Sequence, residues 1–403
     1  MGALLLESVL ELGAAVDFFT IDSDDSIADA LRDRKDLEVI RSSTKWQWER
    51  WYSRKPFFAF LSGTLARARA HRRLCDKLIE RNRRQPYDCI LQISQTELFK
   101  LGRHRDELPP IVVYPCTHAA GELRWHRRES AYAIQSEGAI MHYIMRLFLL
   151  YRAGVQRREL QKPAMVIGMS RRFNELLSQD YGVDPRRQRV SYHPIRMPNS
   201  GNGTIGRENV WHQGRPVRVL YVARISVRKG VDQVIELSHR LDDLHGQLQI
   251  DVIGDRSDWS NYLDHLKELN PRNSRYLGPL KSADLMSLYE QSDILVLPSM
   301  YEPGGLVVGE ALSRGVCTVV SDEVGSGELV SAEACRKFPA GDVDAFERSV
   351  RQMFEDIKTK PQRLRQAARD QAWQHFAPDK IAAQLLDLLQ TATDQRRQAV
   401  RQT

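Results

Sequence analysis

The chain has 403 residues, enough for two to three domains and too many for one small core. Hydrophobic residues make up 42% and charged residues 28%, which excludes a disordered chain. Lys and Arg exceed Asp and Glu by seven, an excess that points to an anionic partner only where it is concentrated.

The sequence opens in an apolar helical pattern (Leu4, Leu5, Val9, Leu10, Leu12) that runs into a strand at Ala15–Ile21. A doubly wound domain begins instead with a strand and a glycine turn feeding that helix. The first domain is therefore expected to lack its opening strand, through a misplaced start or a truncation; the alternative is a domain that dispenses with it. Strands at Leu37–Arg41, Tyr87–Ser94, Ile111–Thr117, Ala164–Ser170 and Arg189–His193 follow, with helical patterns between most of them. This alternation predicts an α/β fold with parallel sheets.

The positive charge gathers between Arg41 and Arg84, with thirteen Lys or Arg against three acids. There Trp46, Trp48 and Trp51 interleave with Arg50, Arg54 and Lys55, and Arg67, Arg69, Arg72 and Arg73 follow. Rings suit the headgroup layer and cations suit anionic lipid, so this segment is expected to meet an anionic membrane surface or an anionic acceptor. An ordinary surface with buried tryptophans is the plainer reading, and no recognised nucleic-acid module accompanies the patch. A second apolar block (Tyr143, Met145, Leu147, Phe148, Leu149, Leu150) reads as a core helix, with acceptor binding beside it as the other reading. The stretch holding it, Gly138 to Tyr151, is interrupted by His142 and Arg146 and falls short of the ~20 residues that span a bilayer. Five scattered cysteines without a C-x-x-C pair suggest neither zinc site nor disulfide framework, and no secretion signal opens the sequence. The expected location is cytoplasmic, with a peripheral station at the inner face of the plasma membrane.

Met197 to Pro216 is rich in Gly, Asn and Pro and reads as a linker. The expected domains are 1–198 and 217–378, joined by 199–216, with a C-terminal helix at 379–403 that can pack back on the first domain. The second series runs strand Val217–Ala223, helix from Lys229, strand Leu248–Gly254, helix 257–268, strand Arg275–Leu277, helix 282–290, strand Asp293–Pro298, helix 304–314 and strand Val316–Ser321. Helices then follow at Val343–Ile357, Pro361–His375 and Asp379–Gln398.

Three elements at strand ends suit anions. Arg224, Arg228 and Lys229 crowd the turn after VRVLYVA, where cations and a helix N-terminus can clamp a diphosphate. PSMYEPGGLVVGEAL, Pro298 to Leu312, sets Gly304 and Gly305 at a helix start, where backbone N–H groups can approach phosphate. Glu302 in its loop and Glu310 in its helix can border one cleft. Gly325-Ser326-Gly327-Glu328 is a third, weaker turn.

These residues resemble the retaining nucleotide-sugar glycosyltransferases with two facing Rossmann-like domains, the GT-B fold, and within them the large family numbered four. The resemblance covers Val217 to about Phe376 through ARISVRKG, the IGD turn at Gly254, YLGPL, SDILVLPS and the E-x7-E pair Glu302/Glu310. In the first half only VVYPCTHAAG and MVIGMSRRFNELLSQDYGVDPRRQRVSYHPI match in pattern, and YHPIRM stands where relatives carry a P-N-G-V-D-like run. The resemblance implies that Arg224 and Lys229 hold the donor diphosphate and Glu310 the ribose. It implies that Glu302 and the Gly304–Gly305–Leu306 backbone contact the transferred sugar, His118 reaches it from the opposite domain, and Leu280 cradles the base. No metal or cofactor is implied beyond the nucleotide-sugar donor; the acceptor would be a glycan or lipid-linked. A phosphorylase or synthase on the same scaffold, and an inactive sugar-nucleotide or glycan-binding protein, are the competing readings.

Overall fold

Runs of β-branched and aromatic residues that bury both faces become parallel strands, and the helical stretches between them become crossovers. A computed structural model describes residues 2–21, 31, 34–43, 56–93, 101–198, 210–257 and 261–401. Trp46, Trp48, Arg50, Trp51, Arg54 and Lys55 lie outside the described residues, as does 199–209 of the expected linker.

In the N-terminal lobe, α1 (Gly2–Glu11) buries Leu5, Leu6, Val9 and Leu10 and leads into β1 (Val16–Thr20), which pairs in parallel with β2 (Leu37–Arg41). The long α2 (Pro56–Arg84) buries Leu74, Cys75, Leu78 and Ile79 and turns Arg67, Arg69, Arg72 and Arg73 to solvent. A separate parallel sheet follows in the order β3 (Ile90–Ile93), β4 (Ile111–Tyr114), β5 (Met165–Gly168), β6 (Gln188–Val190). Its crossovers are α3 (Ala119–Arg128), α4 (Ser130–Glu137) and α5 (Ala139–Glu159) after β4, and α6 (Arg171–Tyr181) after β5.

Among the described residues no strand joins β1 to β3. Side chains bridge them instead: the Tyr87 hydroxyl donates to Asp17 at 2.5 Å, and the Tyr87 ring meets Phe19 edge-on at 6.4 Å. Arg81 pairs with both Asp17 and Glu38. The apolar block at 143–150 does form a helix, but α5 buries only Leu149 of that block's leucines and leaves Tyr143, Leu147 and Leu150 exposed. The core-helix expectation is thus corrected: the face turned inward carries His142, Leu149 and Gln156, spaced seven apart.

The C-terminal lobe is one six-stranded parallel sheet in the order β12-β11-β10-β7-β8-β9. These strands are β7 (Val217–Val222), β8 (Leu248–Ile253), β9 (Ser274–Gly278), β10 (Ile294–Leu297), β11 (Cys317–Ser321) and β12 (Cys335–Phe338). Its crossovers are α7 (Val231–Arg240), α8 (Ser282–Glu290) and α9 (Leu306–Ser313); α10 (Val343–Thr359) and α11 (Pro361–His375) follow. The helix expected over 257–268 is, among the described residues, a short 3-10 turn at Leu263–Glu268. The Asn261 carboxamide oxygen accepts the Leu263 N–H at 3.2 Å, a local turn that competes with helix entry. Strand β12 was not expected; it adds to the edge of β11 after the loop that carries the 3-10 turn Gly325–Leu329.

The last helix, α12 (Pro378–Arg401), lies against α1 in the N-terminal lobe. Gln384 donates to the Val190 carbonyl at 3.2 Å, and Arg397 pairs with Asp88 at 3.0 Å. Among the described residues no helix is long and apolar enough to cross a membrane.

Candidate active site

From β7 the C-terminal sheet grows one way through β8 and β9, and the chain then returns to build β10, β11 and β12 on the other side. The strand order reverses between β7 and β10. A crevice opens at such a reversal, outside the strands' C-terminal ends, because the flanking crossovers leave in opposite directions.

The loop leaving β7 is Ala223 to Gly230, and that leaving β10 is Pro298 to Gly305. Gly230 lets them meet. Its φ is +73°, and a Cβ there would lie 2.1 Å from the Pro298 carbonyl oxygen, so only glycine lets the first loop pass beneath the second. The result is a direct pair: the Lys229 ammonium contacts the Glu302 carboxylate, with side chains only 13% and 17% exposed. Burial, followed by the Arg228 and Arg224 charges, presses the Lys229 pKa well below the usual lysine value. Glu302 supplies the counter-charge that offsets that penalty. The other Glu302 oxygen accepts the Gly305 N–H at 3.1 Å, and Gly305, at φ +85°, opens α9. Two cations, a carboxylate and the start of α9 therefore share one corner.

The remaining residues of the sequence reading sit around it. Arg224 is exposed and close enough to act on Lys229. Glu310 lies in α9; burial raises its pKa, opposed by Arg314 and by the Tyr289 hydroxyl. Gly304 and Leu306 flank the helix start, with Leu306 in solvent. Gly254 ends β8, where a Cβ would come within 1.8 Å of the Ala223 carbonyl oxygen, so it holds the β7 and β8 ends together. Leu280, half-buried beyond β9, packs on the core.

His118 is not presented to this corner as a free side chain. It precedes α3 and is buried, with Nε2 2.9 Å from an Asp180 oxygen and Nδ1 2.8 Å from the Tyr301 hydroxyl. Burial alone would raise the Asp180 pKa, but hydrogen bonds from His118 and Arg124 hold it at about 2. His118 thereby links the N-terminal lobe to Tyr301, the neighbour of Glu302.

Other lobe-to-lobe contacts were not foreseen. The Ser170 hydroxyl caps α6 by accepting the Phe173 N–H at 3.0 Å and donates to the Pro303 carbonyl at 2.8 Å. Glu328, in the third glycine turn, accepts from the Tyr192 hydroxyl at 2.7 Å and from the Arg171 N–H at 2.5 Å. Arg172 grips Glu323 through two nitrogens, and Glu129 accepts the Arg228 N–H at 2.7 Å. That third turn is thus occupied by the N-terminal lobe.

His193 is the residue that sequence reasoning passed over, although YHPIRM had marked the place as unusual. It lines a small cavity of about 10 Å³ with Met169, Gly304, Gly305 and Phe376. Tyr114 donates its hydroxyl proton to the Ser191 carbonyl at 2.6 Å, so the His193 Nδ1, 3.0 Å from that hydroxyl, must be the donor between them. Burial pushes the His193 pKa down to about 4. The edge of the ring lies beside Gly304, whose added Cβ would sit 3.8 Å from Cδ2 and 3.9 Å from Nε2. Among the described residues no group of three or more His, Cys, Asp or Glu is arranged to hold a metal ion.

Residues 207–371 match the family model described as "Glycosyl transferases group 1". Glycogen synthase of Mycobacterium tuberculosis is 30% identical over 169 residues, 41% of this chain and 41% of that protein. Sulfoquinovosyl transferase SQD2 of Arabidopsis thaliana is 29% identical over 147 residues, 35% of this chain and 27% of that one. The match thus spans less than half the length of these curated relatives. Likeness to solved structures extends much further. Sucrose-phosphate synthase from Thermosynechococcus elongatus superposes with a TM-score of 0.65 at 17% identity, covering 99% of this chain and 92% of that one. The lipopolysaccharide outer core galactosyltransferase WaaB gives 0.64 at 13%, over 97% and 94%. Anabaena HepE in complex with UDP-glucose gives 0.59 at 18%, over 96% and 95%. The chain therefore has the GT-B fold of two Rossmann-like lobes, and its C-terminal lobe carries the group 1 glycosyl transferase signature.

Proposed function

We propose that this protein is a retaining, metal-independent glycosyltransferase that moves a sugar from a nucleotide diphosphate sugar to a glycan or lipid-linked acceptor. The observation that carries the reading is the buried Lys229–Glu302 pair, with Arg224 beside it, at the strand-order reversal of the C-terminal sheet. Cleaving a sugar–phosphate bond leaves an oxocarbenium-like centre and a diphosphate anion, so preorganised positive charge at the leaving group is the main requirement. Arg224 and Lys229 would supply it, and the diphosphate would replace Glu302 as the partner of Lys229. Freed, Glu302 would join the Gly304–Gly305–Leu306 backbone on the transferred sugar, and Glu310 would take the ribose hydroxyls. In a front-face transfer the departing phosphate accepts the acceptor's proton, so no nucleophilic side chain is needed. No cofactor beyond the donor enters this reading. UDP and UDP-glucose in complexes of the neighbour HepE support a nucleotide-sugar donor. Assembly of cell-surface polysaccharide or glycolipid, on the cytoplasmic side of the plasma membrane, is the setting we assign.

A second reading, a sugar-nucleotide binding protein without transferase activity, draws on His118, which is committed to Asp180 and Tyr301. Thermal unfolding with UDP-, GDP-, ADP- and TDP-sugars separates the possibilities, since a ligand of the folded state raises the melting temperature. A rise with one donor, followed by nucleotide release, supports the transferase. A rise without any release favours the binding protein, and no rise with any donor removes both.

A further inference from the structure

Eleven large hydrophobic residues are exposed among the described residues, and five of them lie on α5: Ile140 (80%), Tyr143 (56%), Leu147 (67%), Leu150 (42%) and Tyr151 (59%). At 100° per residue these five fall within one sector about 100° wide, the width by which an amphipathic helix ordinarily faces a core. Here the inward face is the opposite one, through His142, Leu149 and Gln156, and the stripe faces outward. Nothing in the sugar-transfer reading uses it.

The stripe has a charged end. Arg158 is eighteen residues beyond Ile140, five full turns, and so lies in line with the stripe past Gly154. It lines a hollow of about 460 Å³ with Arg103, Arg105 and Lys162. Lys162 pairs with Glu159 at 2.9 Å, and Arg105 is 3.7 Å from Asp106. Among the described residues Arg103 and Arg158 have no ion pair. Arg157 adds a further exposed cation beside them. An apolar row along the first half of α5, ending toward clustered arginines, matches acyl chains next to anionic headgroups, as a peptide groove or a purely apolar interface would not.

We propose that the outward face of α5 docks on an anionic lipid bilayer, with the Ile140-to-Tyr151 row entering the interface and Arg103 and Arg158 taking lipid phosphate. The residues of this row are not those of the basic aromatic segment singled out in the sequence, and the inference does not depend on the transferase reading.

The full chain would be sedimented with vesicles of phosphatidylcholine alone or mixed with phosphatidylglycerol, at low and high salt. Binding is expected only with phosphatidylglycerol and to weaken with salt. Ile140→Glu with Leu147→Glu should cut partitioning by about tenfold or more, and Arg103→Glu with Arg158→Glu comparably, because each removes one of the two contributions. These side chains are exposed, so melting temperatures should stay at the wild-type value. If the glutamates disturb folding, Ile140→Gln with Leu147→Gln makes the same test. Three results overturn the proposal: no vesicle binding by the wild type, binding by the variants equal to the wild type, or a wild-type dimer that ignores vesicles and that Leu147→Glu splits.

Discussion

The two lobes solve the same architectural problem with different completeness. In the C-terminal lobe six parallel strands form one uninterrupted sheet, and β7, β10 and β11 are buried on nearly every residue. In the N-terminal lobe the described strands fall into two sheets, and β1 and β2 remain only half-buried. A lone two-stranded ribbon has little stability of its own, so Tyr87, Arg81 and α2 must hold it to the rest. The difference extends to chemistry. The C-terminal lobe gathers charge at a strand-order reversal, whereas the N-terminal lobe contributes contacts that clamp onto those loops.

If that division of labour is right, the largest effect belongs to the C-terminal cations. Lys229→Ala and Arg224→Ala should each lower turnover by at least about 10²-fold, the scale of losing one preorganised contact to developing charge. Nucleotide release with whichever donor raises the melting temperature measures it; near-wild-type rates in both variants would move the working charge elsewhere. Next comes Gly230→Ala, which must strain a left-handed backbone and push the two loops apart at Pro298. A loss of about 2–4 kcal/mol in denaturant unfolding is expected, and an unchanged midpoint would mean the loops are not locked together.

On the N-terminal side, His118→Ala leaves Asp180 and the Tyr301 hydroxyl short of a buried partner, and should cost about 2–3 kcal/mol by the same measurement. Tyr301→Phe removes one hydrogen bond and should cost about 1 kcal/mol. A silent His118→Ala would break the idea of a clamp.

Acid, unlike a substitution, acts on several groups at once. His71, His126 and His193 all lie in the N-terminal lobe, and burial holds each pKa down to about 4. A base whose folded pKa is depressed binds its proton more readily in the unfolded chain. Its stabilising share is therefore intact above about pH 6.5 and is lost as pH falls toward about 4, by up to about 1.4 kcal/mol per pH unit for each histidine. Hydrogen exchange at pH 5 against pH 7 should show the N-terminal sheet opening first; equal loosening of both lobes would contradict the contrast.

The C-terminal lobe was readable because its signals are local. Alternating buried runs mark strands, Gly230 and Gly305 mark turns where only a hydrogen fits, and Arg224, Lys229 and Glu302 stand next to those turns. Even there a helix was expected where Asn261 starts a short turn, and β12 escaped notice because four residues, half of them polar, carry little pattern. The N-terminal lobe hid more. His118 reads as an active-site histidine and is held between Asp180 and Tyr301, and α5 reads as a core helix but buries Leu149 while exposing Leu147 and Leu150.

Periodicity and turn chemistry along the chain were enough to declare two α/β lobes and to put cations, glycines and a carboxylate at strand ends, since each depends on neighbours a few residues away. That Lys229 meets Glu302, that His118 reaches a tyrosine 183 positions later, and that the apolar row of α5 faces outward came only from tertiary structure. Such pairings depend on how sheets and lobes dock, and hydrophobicity is directionless: a leucine's preference for burial does not say which face of its helix the rest of the protein will cover.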